Sequence, residues 1–357
     1  MPNMMRALVF HGPDQLAIDE VPVPRAGVNE AVVKVSLTTI CGTDVHISRE
    51  EWPVSRGRIL GHEAVGTIHE VGPGVEGFEI GQRVLIPAIT PCGSCFYCLS
   101  GQWAQCSGHH DKWVPGGGWR LGNSLNGCQA DYVLVPYAQA NLAPIPKSLS
   151  DRQVVLLADI ASTGFSASEK AGVSLGDTVA VFAQGPIGLC ATIGARLKGA
   201  GLVIVVDSIH ERLKMALRLG ADVALHFESM DVVAEIMRIT GGRGVDVAIE
   251  ALGTSGTFEN GLKVIRPGGT LSSLGIYSHD LTIRPSDYDG GLGDQTIVST
   301  LCPGGRQRMT TLMRLVENRR IDLTPLLTHE FNLSQIVEAY DLFSQQRGGV
   351  LKVAITP

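Results

Sequence analysis

Four cysteines in "PCGSCFYCLSGQWAQC", namely Cys92, Cys95, Cys98 and Cys106, follow the spacing C-x2-C-x2-C-x7-C. Zinc takes thiolates in a tetrahedron, and two-residue gaps let three sulfurs converge from one tight turn while the fourth returns seven residues later. Four sulfurs leave no open coordination position, so the spacing points to a closed, structural zinc, with redox pairing as the alternative. A closed site takes no substrate. Residues able to do chemistry lie in "ICGTDVH" (Cys41, Thr43, His46), "LGHEAVG" (His62, Glu63) and "LLADIASTGFSA" (Asp159). Each of these side chains, taken singly, is equally well explained as packing or as a hydrogen-bonded structural group.

A second kind of site is written in "VFAQGPIGLCA", which gives Ala183-x-Gly185-Pro186-Ile187-Gly188 between the strand pattern "DTVAV" and a helix pattern. In the dinucleotide-binding turn the middle glycine lets the backbone approach a pyrophosphate, which rests on the free N–H groups of the helix N-terminus. Ala183 stands where the first glycine is usual. The acid expected to take the adenosine ribose hydroxyls is Asp207, which ends the next strand 22 residues beyond Gly185. A carboxylate there selects NAD over NADP. The alternative reading of Asp207 is a cap on the following helix.

These residues need elements to carry them. Residues 1 to about 160 are rich in Gly and Pro, with short apolar runs such as "AVVKVSLTT" and "RVLIP" between turn signals, which reads as an antiparallel, barrel-like β unit. From about residue 175 strands and helices alternate: "DTVAVFA", "IGLCATIGARLKGA", "LVIVVD", "HERLKMALRLGA", "VDVAIEAL", "FENGLKVI", "GGTLSSLGIY". Buried β-branched strands joined by amphipathic helices imply a parallel, doubly wound sheet. The expected division is 1–162, 163–304 and a C-terminal segment 305–357 that ends in the strand "VLKVAI" and returns to the first unit.

Composition narrows the function classes. A chain of 357 residues exceeds the ~250–300 at which one core stops growing, so two domains are expected. The net charge of −6, with no basic run, argues against a nucleic-acid or anionic-membrane partner. No signal-like or bilayer-length apolar stretch occurs, so a soluble, cytoplasmic protein is expected. Thiols in such a compartment are more often metal ligands than disulfides.

Taken together, the cysteine-bearing turn, Gly-His-Glu and four-Cys lobe occur in the order found in zinc-dependent medium-chain alcohol dehydrogenases, which the sequence resembles over essentially its whole length. The segments "GHEAVG", "GWRLGN", "STGF", "GPIGL" and "LCPGGRQRM" resemble the bacterial secondary-alcohol dehydrogenases, and Asp159 falls where that subgroup uses Asp as third zinc ligand. Two departures stand out. The subgroup's best-known members prefer NADP and carry Gly-Ser-Arg at the ribose turn, where this chain has Asp207-Ser208-Ile209; they also lack the full four-Cys lobe that is complete here.

The resemblance implies a GroES-like catalytic domain joined to a Rossmann domain, two zinc ions per chain, and NAD. Catalytic zinc would sit on Cys41, His62 and Asp159, with Glu63, water or substrate in the open position, and polarise the alcohol oxygen. Thr43 would receive the alcohol's proton and His46 pass it outward, while hydride goes to the nicotinamide. By the same resemblance Thr163 would hold the carboxamide end, Ala251, Gly253 and Ile276 would line the nicotinamide cleft, and Arg212 and Lys352 would reach the cofactor. Trp119 would be a wall of the substrate pocket or, alternatively, an aromatic packing the domain interface. The expected activity is reversible oxidation of small secondary alcohols to ketones by a homotetramer. A formaldehyde, other aldehyde or polyol dehydrogenase is the rival within the family, and a non-catalytic binding or structural relative the rival outside it.

Overall fold

A strand such as Ala31–Thr39, with the burial-prone sequence AVVKVSLTT, cannot satisfy its backbone alone, and it becomes the hub of the first sheet. The computed structural model describes residues 3–108, 113–277 and 280–357. The chain divides into two compact units, Met1–Ser162 with Pro303–Pro357, and Thr163–Cys302. The second crossing thus falls two residues before the expected boundary at 304/305.

In the first unit, Ala31–Thr39 pairs antiparallel with Ala64–Val71, Tyr132–Val135 and the C-terminal strand Lys352–Thr356. Arg83–Ile86 and Ala143–Pro144 continue the sheet beyond Ala64–Val71. The barrel-like expectation of antiparallel pairing has one exception, because Leu327–Asn332 runs parallel to Lys352–Thr356 at the edge. The smaller sheet of Met4–Gly12, Gln15–Pro22 and Arg58–Ile59 packs Leu8 and Phe10 into a core that also holds Ile40, Leu60, Tyr340 and Val353. Residues from the first and last forty positions therefore share one core, and the C-terminal segment is an integral part of this unit.

In the second unit all six strands are parallel, in the spatial order Val223–His226, Leu202–Asp207, Thr178–Phe182, Val245–Glu250, Ile265–Ser273, Thr296–Ser299. This is the doubly wound order whose reversal lies between the first and fourth strands in sequence, where nucleotides bind at the carboxyl ends. The two strands flanking that reversal, Thr178–Phe182 and Val245–Glu250, are buried at every residue, which explains why they read as continuous apolar runs. The strand Val223–His226, the helix Val232–Ile239 and the outer strand Thr296–Ser299 escaped the sequence reading. Two of these are four-residue strands, Val223–His226 part-buried and Thr296–Ser299 largely exposed, so they lack the long buried run that marks their neighbours.

The turn after Thr178–Phe182 carries backbone strain. Ala183 has φ 70°, the left-handed region that glycine adopts freely and an L side chain resists. Gly188, one turn into the helix Pro186–Leu197, could carry no side chain, since a Cβ there would lie 1.9 Å from the Ala183 carbonyl oxygen. Left-handed backbone at Ala183 costs about 1–2 kcal/mol, and glycine's greater unfolded-state freedom offsets about 0.5–1 kcal/mol of any gain. Ala183→Gly should therefore stabilise by roughly 0.5–1 kcal/mol, raising Tm by about 1–3 °C. Calorimetry reads this directly, and an unchanged or lowered Tm would show that the strain is absent.

Candidate functional site

Cys41 is the residue at which the hub strand gives way to the short helix Gly42–Ser48. His62 and Glu63 follow Gly61, whose φ of 91° and close approach to Gln129 (a Cβ would lie 2.6 Å from its Cγ) require glycine in "LGHE". Asp159 immediately precedes the helix Ile160–Lys170, where free N–H groups favour an anion. The fold brings these four together. One donor atom from each of Cys41, His62, Glu63 and Asp159 lies within 4.8 Å of the others, all buried.

The donor separations suit a tetrahedral ion. Cys41 Sγ is 3.6 Å from Asp159 Oδ2, and His62 Nε2 is 3.4 Å from the same oxygen. Zinc bound to sulfur at about 2.3 Å and to nitrogen and oxygen at about 2.0–2.1 Å has tetrahedral edges of about 3.5 and 3.3 Å. Burial disfavours a charged His62, yet the carboxylates of Asp44 and Asp159 and the thiol of Cys41 outweigh it and hold the ring well above the usual histidine range. Surroundings so attractive to a proton are equally attractive to a cation.

Glu63 is fully buried, with Oε1 accepting from Lys352 Nζ at 2.6 Å and Oε2 from the Thr39 hydroxyl at 2.7 Å. Lys352 also donates to the Ile40 carbonyl at 2.9 Å. Lys352, expected to reach the cofactor, thus stands beside the cluster of Cys41, His62, Glu63 and Asp159. An ammonium that is 1% exposed needs a counter-ion, and Lys352 has one in Glu63, whose charge holds its pKa above the usual lysine value against the cost of burial.

Thr43 Oγ1 stands 3.7 Å from Cys41 Sγ, half-buried on the helix Gly42–Ser48. His46, one turn on, is exposed, and its Nδ1 is bound by Glu51 Oε2. Trp119 is part-buried, with its ring 6.0 Å from that of His62 and 5.7 Å from that of Trp52. Its indole nitrogen is buried without a hydrogen-bond partner.

The four-Cys lobe is a separate cluster. Sulfur separations of 3.9 Å (Cys92–Cys98), 3.5 Å (Cys95–Cys98) and 3.8 Å (Cys95–Cys106) bracket the ~3.8 Å edge of a four-thiolate zinc tetrahedron. All eight cysteines are free thiols. Backbone N–H groups of Cys95, Cys92 and Gly108 donate to these sulfurs at 3.2–3.3 Å. Burial opposes ionisation, but hydrogen bonds from Cys98 and its neighbours pull the Cys95 thiol down to about 6. Sequence reading missed Arg120, whose buried guanidinium donates to Cys106 Sγ at 3.1 Å and to the Thr90 carbonyl.

In the second unit, Asp207 is buried with both oxygens engaged, Oδ2 by the Gln184 N–H at 2.6 Å and Oδ1 by the Ile209 N–H at 2.8 Å. Each oxygen keeps a lone pair for another donor. The Ile209 contact holds the residue that precedes the helix His210–Arg218, which has no side-chain cap, and Arg212 on that helix is half-buried. Gln184, also missed from sequence, locks the turn from below: its amide donates to Val181 and Ala183 carbonyls, and Thr192 donates to its oxygen. At Gly185 a Cβ would meet no protein atom within 4 Å, an open approach above the helix Pro186–Leu197, which begins at Pro186 and Ile187. Ala251 lies against Gly188 (3.6 Å between Cβ positions), and Gly253 packs its backbone on that of Ile276. Thr163 is buried in the first turn of Ile160–Lys170.

Comparison with known proteins agrees with this geometry. Residues 27–147 match the family described as alcohol dehydrogenase GroES-like domain, and residues 186–318 match zinc-binding dehydrogenase. An alcohol dehydrogenase of Cupriavidus necator is 52% identical over the whole of both chains. The NADP-dependent isopropanol dehydrogenase of Thermoanaerobacter brockii is 34% identical, with 93% of this chain and 94% of that protein covered. The solved structure of alcohol dehydrogenase TADH from Thermus sp. ATN1 superposes with a TM-score of 0.89 at 32% identity, covering 99% of each chain. With both units matched and a metal-ligand cluster in the first, the chain belongs to the family of zinc-type alcohol dehydrogenases.

Proposed function

We propose that this enzyme is an NAD-dependent dehydrogenase of small secondary alcohols and their ketones, with one catalytic and one structural zinc per chain. The observation that carries the reading is the Cys41, His62 and Asp159 donor set at tetrahedral separations beside the Thr43 hydroxyl. Zinc in that set supplies Lewis acidity toward an alcohol or carbonyl oxygen. Thr43 accepts the alcohol's proton on its hydroxyl, and His46, exposed one turn further along the same helix, exchanges it with solvent. Trp119 and Trp52, in tilted contact at 5.7 Å with Trp119 beside His62, offer an apolar wall for short alkyl groups. NADH absorbance during oxidation of propan-2-ol, butan-2-ol, ethanol and formaldehyde tests the substrate class, and a clear preference for ethanol or formaldehyde would overturn it.

Free thiols throughout the described residues fit a reducing, cytoplasmic setting. Among the described residues no helix is long and apolar enough to cross a membrane. The outer strand Thr296–Ser299, terminal in its sheet and with Ile297 exposed, suits the homotetramer that the resemblance implies, which sedimentation would read.

Cofactor choice rests on Asp207. Its carboxylate, fixed by two N–H donors, accepts ribose hydroxyls by charge-assisted bonds and repels a 2′-phosphate. Ser208 and Ile209 supply no cation. Repulsion with the lost bonds amounts to about 3 kcal/mol, so kcat/KM should favour NAD over NADP by about 100-fold. Asp207→Asn combined with Ile209→Arg removes the anion, keeps an acceptor for the turn, and should narrow that ratio by at least about 10-fold. Equal kcat/KM values in the unmodified enzyme would remove Asp207 from this role.

The two metal clusters should separate by mutation. Cys95→Ser should release one zinc and lower Tm, while folded protein still turns over, because the closed set takes no substrate. Thr43→Ala should retain both zincs and lose about 100-fold in kcat, and Asp159→Ala should abolish turnover with NADH binding intact. Zinc analysis beside steady-state kinetics reads both; full activity in Thr43→Ala rules out its proton role.

A further inference from the structure

A buried chain of hydrogen bonds runs from the C-terminal helix through Tyr340, Gln129 and Asp44 to the backbone of Cys41. Tyr340, on the helix Ile336–Ser344, donates its hydroxyl to Gln129 Oε1 at 2.8 Å. Gln129 Nε2 donates to the Thr39 carbonyl at 3.1 Å and to Asp44 Oδ2 at 3.3 Å. That same Oδ2 takes the Cys41 N–H at 2.9 Å, while Oδ1 stands 3.3 Å from His62 Nδ1. Tyr340, Gln129, Asp44 and His62 are all at most 4% exposed.

The chemistry of each partner fixes the direction of the chain. The Thr39 carbonyl only accepts, so the amide nitrogen of Gln129 must face it, and its oxygen then faces Tyr340, which donates. With Oδ2 of Asp44 held by Cys41 and Gln129, Oδ1 is left for the Nδ1–H of His62. His62 Nδ1 and Asp44 Oδ1 are both buried without a hydrogen-bond partner and face each other at ion-pair distance. A proton kept on Nδ1 leaves the Nε2 lone pair for a metal, and the ring is held by the carboxylate. Gln129 also backs this stretch from the other side, since its N–H bonds the Leu60 carbonyl and Gly61 packs against its side chain.

We infer that Gln129 and Tyr340 are positioning residues for the zinc of the Cys41, His62 and Asp159 set, acting through Asp44 on the tautomer and orientation of His62. The inference rests on the reading of that set as a zinc centre. Outer partners of metal-bound histidines typically change metal affinity by about 10–100-fold. Tyr340 acts one link further out, so its effect belongs at the lower end.

The test is zinc release from the purified zinc-loaded enzyme to a colorimetric chelator, with Tm recorded for each variant. Wild type should release zinc in two phases, and the phase lost in Asp159→Ala marks the open set. Tyr340→Phe should speed that phase by about 10-fold and leave the four-Cys phase unchanged. Gln129→Met should speed it at least as much. In an Asp44→Asn background, Tyr340→Phe should add nothing, because its route passes through Asp44. A fall in Tm with unchanged release, equal acceleration of both phases, or an undiminished Tyr340→Phe effect in Asp44→Asn would each overturn the inference. Should Gln129→Met fail to fold, Tyr340→Phe, which removes a single oxygen, still decides. Release of only one zinc by wild type would instead overturn the underlying reading of the cluster.

Discussion

The first unit is organised around one electrostatic constraint: three carboxylates and a thiol are buried together, with one lysine among them. Asp44 and Glu63 are fully buried, Asp159 and Cys41 nearly so, and among the described residues Lys352 is the ammonium paired with the group. Removing a charge from water costs several kcal/mol even after relaxation, so such a cluster is tolerable only if each anion has a donor or a cation. Lys352 answers Glu63; the backbone N–H of Cys41 and the amide of Gln129 answer Asp44. What remains is the donor set of Cys41, His62 and Asp159, where the proposed zinc would supply the positive charge.

That constraint explains the path of the chain. The polypeptide leaves the first unit after Ser162, builds the second unit, and comes back at Pro303 to bring Lys352 to Glu63 and Tyr340 to Gln129. Lys352 sits in the strand paired with the hub strand that leads to Cys41, and Tyr340 projects from the helix packed on the same core. A terminal segment that neutralises a buried glutamate beside the candidate metal ligands is as much part of the site as those ligands. Severing it would leave Glu63 as an uncompensated buried charge, the costliest kind of defect in a core.

The nucleotide unit solves a different problem, that of holding a backbone turn open for an anion. Here the work usually shared among three glycines is divided otherwise. Gly188 keeps the helix close to the strand, Ala183 accepts a left-handed backbone, and the buried Gln184 amide, with Thr192, braces the turn from beneath. The same turn supplies the N–H that fixes Asp207, so the residues proposed for phosphate approach and for ribose recognition share one corner.

How much of this was legible in the sequence follows from how far apart the interacting residues lie. The four-Cys set spans 15 residues and announces itself through spacing, and the dinucleotide turn is marked by a strand, a glycine pair and a helix within one short segment. Buried parallel strands read plainly because both their faces are covered, whereas Val223–His226, part-buried and four residues long, did not. The sequence by itself determined the two-unit fold, the zinc-binding spacing and the candidates Cys41, His62 and Asp159, since these depend on local pattern and residue chemistry. Only the tertiary structure decided that Lys352 belongs to Glu63, 289 positions away, and that Tyr340 reaches Gln129 across 211. A lysine or glutamine carries no local sign of its partner; which charge it must neutralise is set by what folding removes from water around it.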